Sequence, residues 1–209
     1  FAPVSMLSTV PMVVVVPESS RFKTWAELVA AAKAKPGGVS LGHAGTGTPN
    51  HTDILRIQMN DNVTFAIVPY RGSGLGLNDV VAGQIDGYVD QLTSSMPYIK
   101  SGKVRPLVVL SENRLATLPN VPTSKEAGFP KFQMSIWYGM FAPAGTSREI
   151  IMKLNREVLK GMEGKEAREK MAAGGIDPWP GSPEQLGELV KSETARFATI
   201  IKAAGIPKE

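Results

Sequence analysis

Residues 39–59 read VSLGHAGTGTPNHTDILRIQM and contain the unit from which the predicted fold is built. Residues 39–43 have the pattern of a short buried strand, and the glycine-rich segment 45–49 leads into a helix pattern from Pro49 to Met59. The same order of strand, loop and helix recurs at residues 64–82 and again at 86–100. Strands that alternate with helices in this way predict an α/β fold with a mostly parallel, doubly wound sheet.

Further elements are predicted on both sides of these units. Residues 11–17 are a β-branched run between two prolines, which is typical of a strand buried on both faces. Thr24, followed three residues later by Glu27, has the spacing of a capping box and predicts a helix start. The remaining predicted elements are a helix at 20–35, a strand at 104–110, a loop at 111–130 with one helical turn at 124–127, a strand at 132–142, and helices at 147–162, 165–173 and 183–204.

The C-terminal helices carry apolar faces that need a covering sheet, and only one small strand is expected after Gly175. The residues on these faces are Ile151, Leu154, Val158, Met171, Leu186, Val190, Phe197 and Ile200. We expect residues before Phe1 to supply much of that sheet. The chain is therefore interpreted as a fragment or a processed product of a longer protein.

Composition excludes several classes of protein. Of 209 residues, 43% are hydrophobic and 20% are charged, which is typical of a folded domain rather than a disordered chain. The longest apolar run, residues 12–16, is far shorter than the ~20 residues of a membrane-spanning helix, so the chain is not expected to span a membrane. The absence of cysteine excludes disulfides and thiolate metal sites. The charge of +4 comes from interspersed residues, and we expect no nucleic-acid partner.

Three predicted loops share one chemistry, in which glycines and hydroxyl side chains precede a helix. They are residues 45–49, 72–74 and 93–95, and each follows a predicted strand of the parallel sheet. Ligands of such sheets bind beyond the carboxyl ends of the strands. Glycine lets backbone N–H groups approach a ligand, and a helix N-terminus favours an anion, so three such loops could hold a carboxylate. The alternative is that each loop is an ordinary cap or turn.

Candidate catalytic and metal-binding residues are few. His43 and His51 flank the first glycine loop, and with no cysteine a metal site would need a carboxylate such as Asp53 or Asp90. His51 also fits a polar surface or capping role at a helix start. Asp90 can either accept a hydrogen bond from a ligand or tie down the loop that follows it. Arg71 can face an anion or the solvent.

Several short motifs together resemble one protein family. They are residues 1–5 (FAPVS), the 45–51 loop (GTGTPNH), residues 68–73 (VPYRGS), residues 118–128 (LPNVPTSKEAG), residues 137–139 (WYG), residues 142–146 (APAGT) and residues 201–206 (IKAAGI). The chain resembles the periplasmic solute-binding proteins of tripartite tricarboxylate transporters, the TctC-like or Bug family. The resemblance implies that the chain lacks about the first third of the family's length.

The resemblance implies a type II periplasmic-binding-protein fold, with one complete doubly wound lobe and the C-terminal part of the other. Residues 17–131 would form lobe 2. Residues 1–16 would be a crossing strand and a remnant of lobe 1, and residues 132–209 a hinge strand and the helical part of lobe 1.

By the same resemblance, the protein binds a small carboxylate between two lobes in the periplasm and delivers it to the transporter's membrane subunits. It would not be an enzyme and would need no cofactor or metal. The residues carried over as ligand-binding are Thr46, Gly47, Thr48, Gly72, Ser73 and Asp90. Arg71 stands where the family often has Lys. The alternative function is a small-molecule enzyme of similar architecture that uses His43 and His51.

Overall fold

The computed structural model describes residues 1–130 and 134–203, which fall into two compact units. One unit spans Pro11–Ser135, and the other combines Phe1–Val10 with the described part of the chain from Ile136 onward. Both units contain strands and helices, so the predicted α/β class is confirmed.

The unit Pro11–Ser135 is built on a sheet with the strand order β3-β2-β4-β1-β5. Its elements are β1 (Ala2–Pro17, whose first residues belong to the other unit), α1 (Trp25–Ala34), β2 (Ser40–His43), α2 (Pro49–Asp61), β3 (Ala66–Pro69), α3 (Ser73–Val81), β4 (Gly87–Gln91), α4 (Leu92–Lys100) and β5 (Val104–Val109). β2 is parallel to β3 and β4, whereas β1 is antiparallel to β4 and β5. Four strands therefore run in one direction and β1 in the other, as the predicted mostly parallel sheet requires.

β1 forms the centre of the core in this unit. The four residues Val13–Val16 are completely buried between β4 and β5, as their β-branched run predicts. The strand starts at Ala2, however, and not at the predicted Pro11. Its ladder with β7 (Asp177–Gly181) ends at Thr9 and its ladder with β4 begins at Met12. Pro11 lies between the two ladders, where neither needs the N–H group that proline lacks.

The packing of Tyr88 sets the distance between the sheet and α3. Tyr88 in β4 is completely buried and pairs with Gly42 of β2. A Cβ atom at Gly42 would lie 2.5 Å from Cδ2 of Tyr88, and a Cβ at Gly76 in α3 would lie 2.0 Å from its Cε2. Both glycines are therefore required by close approach to one aromatic ring, because no larger residue leaves room for it.

The N-termini of several helices follow the sequence signals closely. Thr24 caps α1 by accepting a hydrogen bond from the Glu27 N–H, and Thr48 caps α2, which has Pro49 at its first position. The prediction that residues 93–95 form a loop before a helix is wrong. α4 begins at Leu92, directly after β4, because Asp90 bonds both the Gln91 N–H and the Ser95 hydroxyl and so holds the first turn.

The second unit contains the first part of β1, which is antiparallel to β7, and all but the first residue of β6 (Ser135–Ala142), a strand that pairs with β1. Its helices are α5 (Arg148–Glu163), α6 (Lys165–Ala173) and α7 (Pro183–Ala203). Asn155 of α5 is buried and donates hydrogen bonds of 3.0 Å to the carbonyls of Val4 and Gly181, which fixes the helix to β1 and β7. The predicted strand start at Phe132 and helix end at Ala204 lie outside the described residues.

Most of the apolar helix residues in this unit remain at least partly exposed. Of the eight residues expected to need a cover, only Leu186 is buried, and it packs against Gly139 of β6. Leu154 is 40% exposed, and its neighbour Ile150 is 53% exposed. In the part of the chain that the structure describes, no helix has both the length and the apolarity required to cross a bilayer.

We expect Gly76→Ala to lower the free energy of unfolding by about 2 kcal/mol, because the added methyl overlaps the buried Tyr88 ring. The matched control is Gly74→Ala in the same helix, where an added Cβ would meet no atom within 4 Å. That change should stabilise the protein by up to ~1 kcal/mol through helix propensity. Urea denaturation of both variants measures the difference, and equal effects at the two positions would contradict this account of the packing.

Candidate functional site

The candidate site lies where β2, β3 and β4 end and α2, α3 and α4 begin. These three strands share one direction, so their carboxyl ends lie at the same edge of the sheet. The connection after β2 leads to β3 on one side, and the connection after β4 leads toward β5 on the other. Such a reversal of strand order opens a crevice between the two strands, and this is the usual ligand position in an open α/β sheet.

The Asp90 carboxylate, at the end of β4, joins the N-terminal turns of three helices. Its Oδ1 accepts a 2.6 Å hydrogen bond from the Ser73 hydroxyl of α3 and a 3.4 Å bond from the Asn50 side-chain amide of α2. Its Oδ2 accepts a 2.8 Å bond from the Ser95 hydroxyl of α4. The predicted convergence of three helix starts at one edge is therefore observed.

Asp90 is completely shielded from solvent by these contacts. Burial raises the pKa of its carboxyl group above the ordinary value, and the hydrogen bonds from Ser73, Ser95, the Gln91 N–H and Asn50 oppose that shift. The sequence left two roles open for Asp90, contact with a ligand or anchoring of the next loop. The observed bonds support the anchoring role.

The first connection, which we name the glycine loop (residues 44–48), is shaped by internal hydrogen bonds. Gly45 and Gly47 have φ angles of +143° and +76°, a region that favours glycine. The Thr48 hydroxyl donates a 2.6 Å bond to the Gly45 carbonyl and accepts one from the His51 N–H, so it serves as a helix cap. Thr46 and Gly47 are exposed at the tip of the loop.

His43 and His51 form a stacked pair behind the glycine loop. Their ring centroids are 4.5 Å apart and their planes differ by 21°. His43 is buried, with its Nδ1 2.8 Å from the Gly45 carbonyl oxygen, and His51 accepts a 3.2 Å bond from the Gly47 N–H at its Nδ1. Burial lowers the pKa of both imidazoles, and for His43 the neighbouring His51 adds to the effect.

The second connection lies directly against the glycine loop. The Gly72 N–H donates to the Ala44 carbonyl and the Tyr70 N–H to the His43 carbonyl, at 3.1 and 2.9 Å. Gly72 has a φ of +103° and precedes α3, which begins without a side-chain capping bond, as does α4. Because the first N–H groups of a helix have no partner within the helix, these two starts offer hydrogen-bond donors to an anion.

The six residues predicted as ligand-binding occupy one region of the fold, in three different situations. Asp90 is enclosed, and the hydroxyls of Thr48 and Ser73 are bonded to groups of the protein. Thr46, Gly47 and Gly72 present backbone or hydroxyl groups at the loop surfaces. Arg71, whose orientation the sequence left open, is exposed, and the described residues contain no cluster of side chains that could hold a metal ion.

Two residues of this site are not among the six that the sequence predicted as ligand-binding. Asn50 is buried at the start of α2 and donates to the Val89 carbonyl and to Asp90. Ser95 was predicted to lie in a loop, but it lies in α4 and donates its hydroxyl hydrogen bond to Asp90 from there. The sequence does place a carboxylate, Asp90, at the end of a buried strand, and a buried carboxylate requires several hydrogen-bond donors. No sequence pattern, however, indicates which helices supply those donors.

We expect Asp90→Ala to lower the free energy of unfolding by about 3 kcal/mol, because it leaves the buried Ser95 hydroxyl and the half-buried Ser73 hydroxyl without this acceptor and removes one of the two bonds of the Asn50 amide. The control is Asp79→Ala, which removes a single 2.8 Å bond from the Tyr70 hydroxyl at a half-buried position and should cost about 1 kcal/mol. Chemical denaturation measures both values. Equal losses would mean that Asp90 does not anchor the three helices.

The histidine pair predicts how stability depends on pH. In the folded protein the pKa of each imidazole lies below its ordinary value of 6.5. At pH values near and below 6.5, the unfolded chain therefore binds more protons than the folded protein. Stability should be fully present above about pH 6.5 and should decline as the pH falls through that value. Since the chain has only these two histidines, the double variant His43→Gln/His51→Gln should show a flatter profile between about pH 5.5 and 7.5. An unchanged slope would contradict this assignment.

Comparison with known proteins identifies the family of this chain. The sequence model described as "Tripartite tricarboxylate transporter family receptor" (TctC) matches residues 1–206. The chain is 41% identical over 202 residues to the UPF0065 protein in the tcbD-tcbE intergenic region of a Pseudomonas species, which covers 96% of this chain and 60% of that protein. The chain thus spans 60% of the length of this relative and 62% of the length of the protein BugT of Bordetella pertussis, to which it is 32% identical.

Solved structures agree with the family match. An R. palustris protein solved with adipate is 31% identical, with a TM-score of 0.91 over 98% of this chain and 69% of that chain. The periplasmic binding protein BugD is also 31% identical, with a TM-score of 0.90 over 100% of this chain and 71% of that chain. The predicted periplasmic-binding-protein fold is confirmed, and the chain belongs to the TctC family of tripartite tricarboxylate transporter receptors.

Proposed function

We propose that this chain is part of a periplasmic solute-binding protein that captures a small organic carboxylate and delivers it to the membrane subunits of a transporter. The observation that carries the proposal is the convergence of three helix N-termini on Asp90, two of them without a side-chain cap. Backbone N–H groups and the positive ends of the helix dipoles then face the crevice, and both favour a negatively charged group.

Backbone groups suit a carboxylate here because the neighbouring hydroxyls are already used. Thr48 and Ser73 bond internally, so they shape the site, while the N–H groups at the start of α3 remain as donors. Asp90 does not repel the ligand's charge strongly, since its oxygens are surrounded by donors from three helices. The exposed residues Thr46 and Gly47 and the half-buried Gly72 form the surface that we propose contacts the ligand, with Thr48, Ser73 and Asp90 as supports.

The substrate class follows from the relatives. The family is one of tricarboxylate transporter receptors, and the R. palustris relative was solved with adipate, a flexible molecule with a carboxylate at each end. We propose a small di- or tricarboxylate, one end of which is held by the site described above. The second end would be held by the other lobe, and residues 17–131 are proposed as lobe 2, with residues 1–16 and 132–209 contributing to lobe 1.

In the proposed mechanism, binding of the ligand drives the closure of the two lobes. Contacts that involve both lobes exist only in the closed state, so the ligand shifts the population toward closure. The alternative of an enzyme that uses His43 and His51 is not supported, because the family consists of receptors. The Nδ1 atoms of both histidines also contact the backbone of the glycine loop, which gives the pair a structural task.

The substrate class is tested by thermal-shift and calorimetric titration of the protein at its natural length with a panel of carboxylates that includes adipate. Two uncharged or cationic analogues of adipate, adipamide and 1,6-diaminohexane, are the matched controls. At least one carboxylate should raise the Tm, and the two controls should not. Stabilisation by the neutral or cationic analogue, with none by any organic acid, would overturn the proposal.

A pair of variants at the exposed loop tip tests the location. Thr46→Asp adds a negative charge where the carboxylate is proposed to bind, and Thr46→Asn adds a neutral side chain of the same size. The Asp variant should lose at least tenfold in carboxylate affinity through charge repulsion, and the Asn variant less than about threefold. Equal affinities for the two variants would place the anion elsewhere.

A further inference from the structure

We infer that His51, stacked on His43, is a positioning residue that holds the glycine loop in the conformation used for binding. The inference deepens the proposed function and rests on it, since the loop conformation matters only if the loop contacts a ligand. His51 itself lies in the first turn of α2 and is only partly exposed, whereas Thr46 and Gly47 are exposed.

The conformation of Gly47 is set by the turn that contains it, in which the Thr48 N–H donates a 3.2 Å hydrogen bond to the Gly45 carbonyl, and by a bond of its own to His51. Gly47 is exposed, has a φ of +76°, and a Cβ at this position would meet no heavy atom of the described residues within 4 Å. A glycine without packing contacts samples many conformations unless a hydrogen bond restricts it. The bond from its own N–H to Nδ1 of His51, 3.2 Å long, adds to the restriction that the turn imposes and acts on the Gly47 peptide directly.

The other histidine secures the opposite end of the same loop. His43 is buried at the end of β2, and its Nδ1 lies 2.8 Å from the Gly45 carbonyl oxygen. The two rings stack at 4.5 Å, so the buried ring fixes the orientation of the partly exposed one. The loop is therefore held at Gly45 and at Gly47 by two side chains that support each other.

The bond to Gly47 depends on the protonation state of His51. An imidazole can accept the Gly47 N–H only if its Nδ1 carries no proton. Two stacked imidazolium ions would also repel each other. Burial, which favours the neutral form of both rings, is consistent with this arrangement.

Two substitutions separate the acceptor from the ring. In His51→Asn the side-chain oxygen can take the place of Nδ1, but no ring remains to stack on His43. In His51→Phe a flat ring remains, but the acceptor is lost. If His51 positions the loop through its Nδ1, the Phe variant should lose at least tenfold in affinity for adipate, or for the panel carboxylate that stabilises the wild-type protein most. The Asn variant should stay within about threefold of the wild type.

Other patterns of affinity would overturn the inference. Loss in the Asn variant with retention in the Phe variant would mean that His51 acts only by packing. Equal losses in both variants would indicate that His51 itself contacts the ligand or that the fold is damaged, and thermal unfolding of each variant separates these two cases. Equal retention would mean that the loop needs no support from His51.

Amide hydrogen exchange of Gly47, followed by NMR without ligand, tests the positioning independently of binding. Exchange at Gly47 should accelerate at least tenfold in His51→Phe and little in His51→Asn. If no carboxylate binds the wild-type protein while this exchange pattern is found, the proposed function fails and the positioning of the loop stands. Unchanged exchange in both variants would exclude the hydrogen bond as the restraint on the loop.

Discussion

A buried carboxylate that must find hydrogen-bond donors is the constraint on which the described site depends. Asp90 lies inside the sheet edge with no access to water, where an unpaired charge would be very costly. The donors come from three different helices, each at its first turn. A shift in the start of any of these helices would remove a hydrogen bond from Asp90. The lengths of three connections are thereby coupled through one side chain.

This constraint also decides which groups remain for a ligand. The hydroxyls of Ser73 and Ser95 are bonded to Asp90 and that of Thr48 to the Gly45 carbonyl. The backbone donors that they leave for a ligand are those at the helix starts that lack a side-chain cap, since the N–H groups of Gly47 and Gly72 are bonded to His51 and Ala44. A site made of backbone donors recognises negative charge and shape more than the identity of a particular substituent, which suits a family whose receptors serve organic acids.

The fold could be predicted in the places where local and global signals agree. The valine run of β1, the Thr24 cap of α1 and the cap of α2 by Thr48 and Pro49 follow from short patterns that the tertiary structure reinforces. The failures occur where a distant contact decides. The extension of β1 through Pro11 depends on pairing with two different strands, and the early start of α4 depends on Asp90. The convergence of the loops was predicted from topology, but Asn50 was not, because an amide at a helix start has no pattern that identifies its partner.

The Tyr88 ring, which fills the space between β2 and α3, has a consequence for how sequences of this fold can diverge. Its contacts with Gly42 and Gly76 link three positions that are far apart along the chain. A mutation that enlarges either glycine first requires a smaller side chain at position 88, so such substitutions are expected to arise in that order. Substitutions at the three positions should therefore be correlated. Relatives in which position 88 carries a smaller residue should tolerate larger residues at positions 42 and 76.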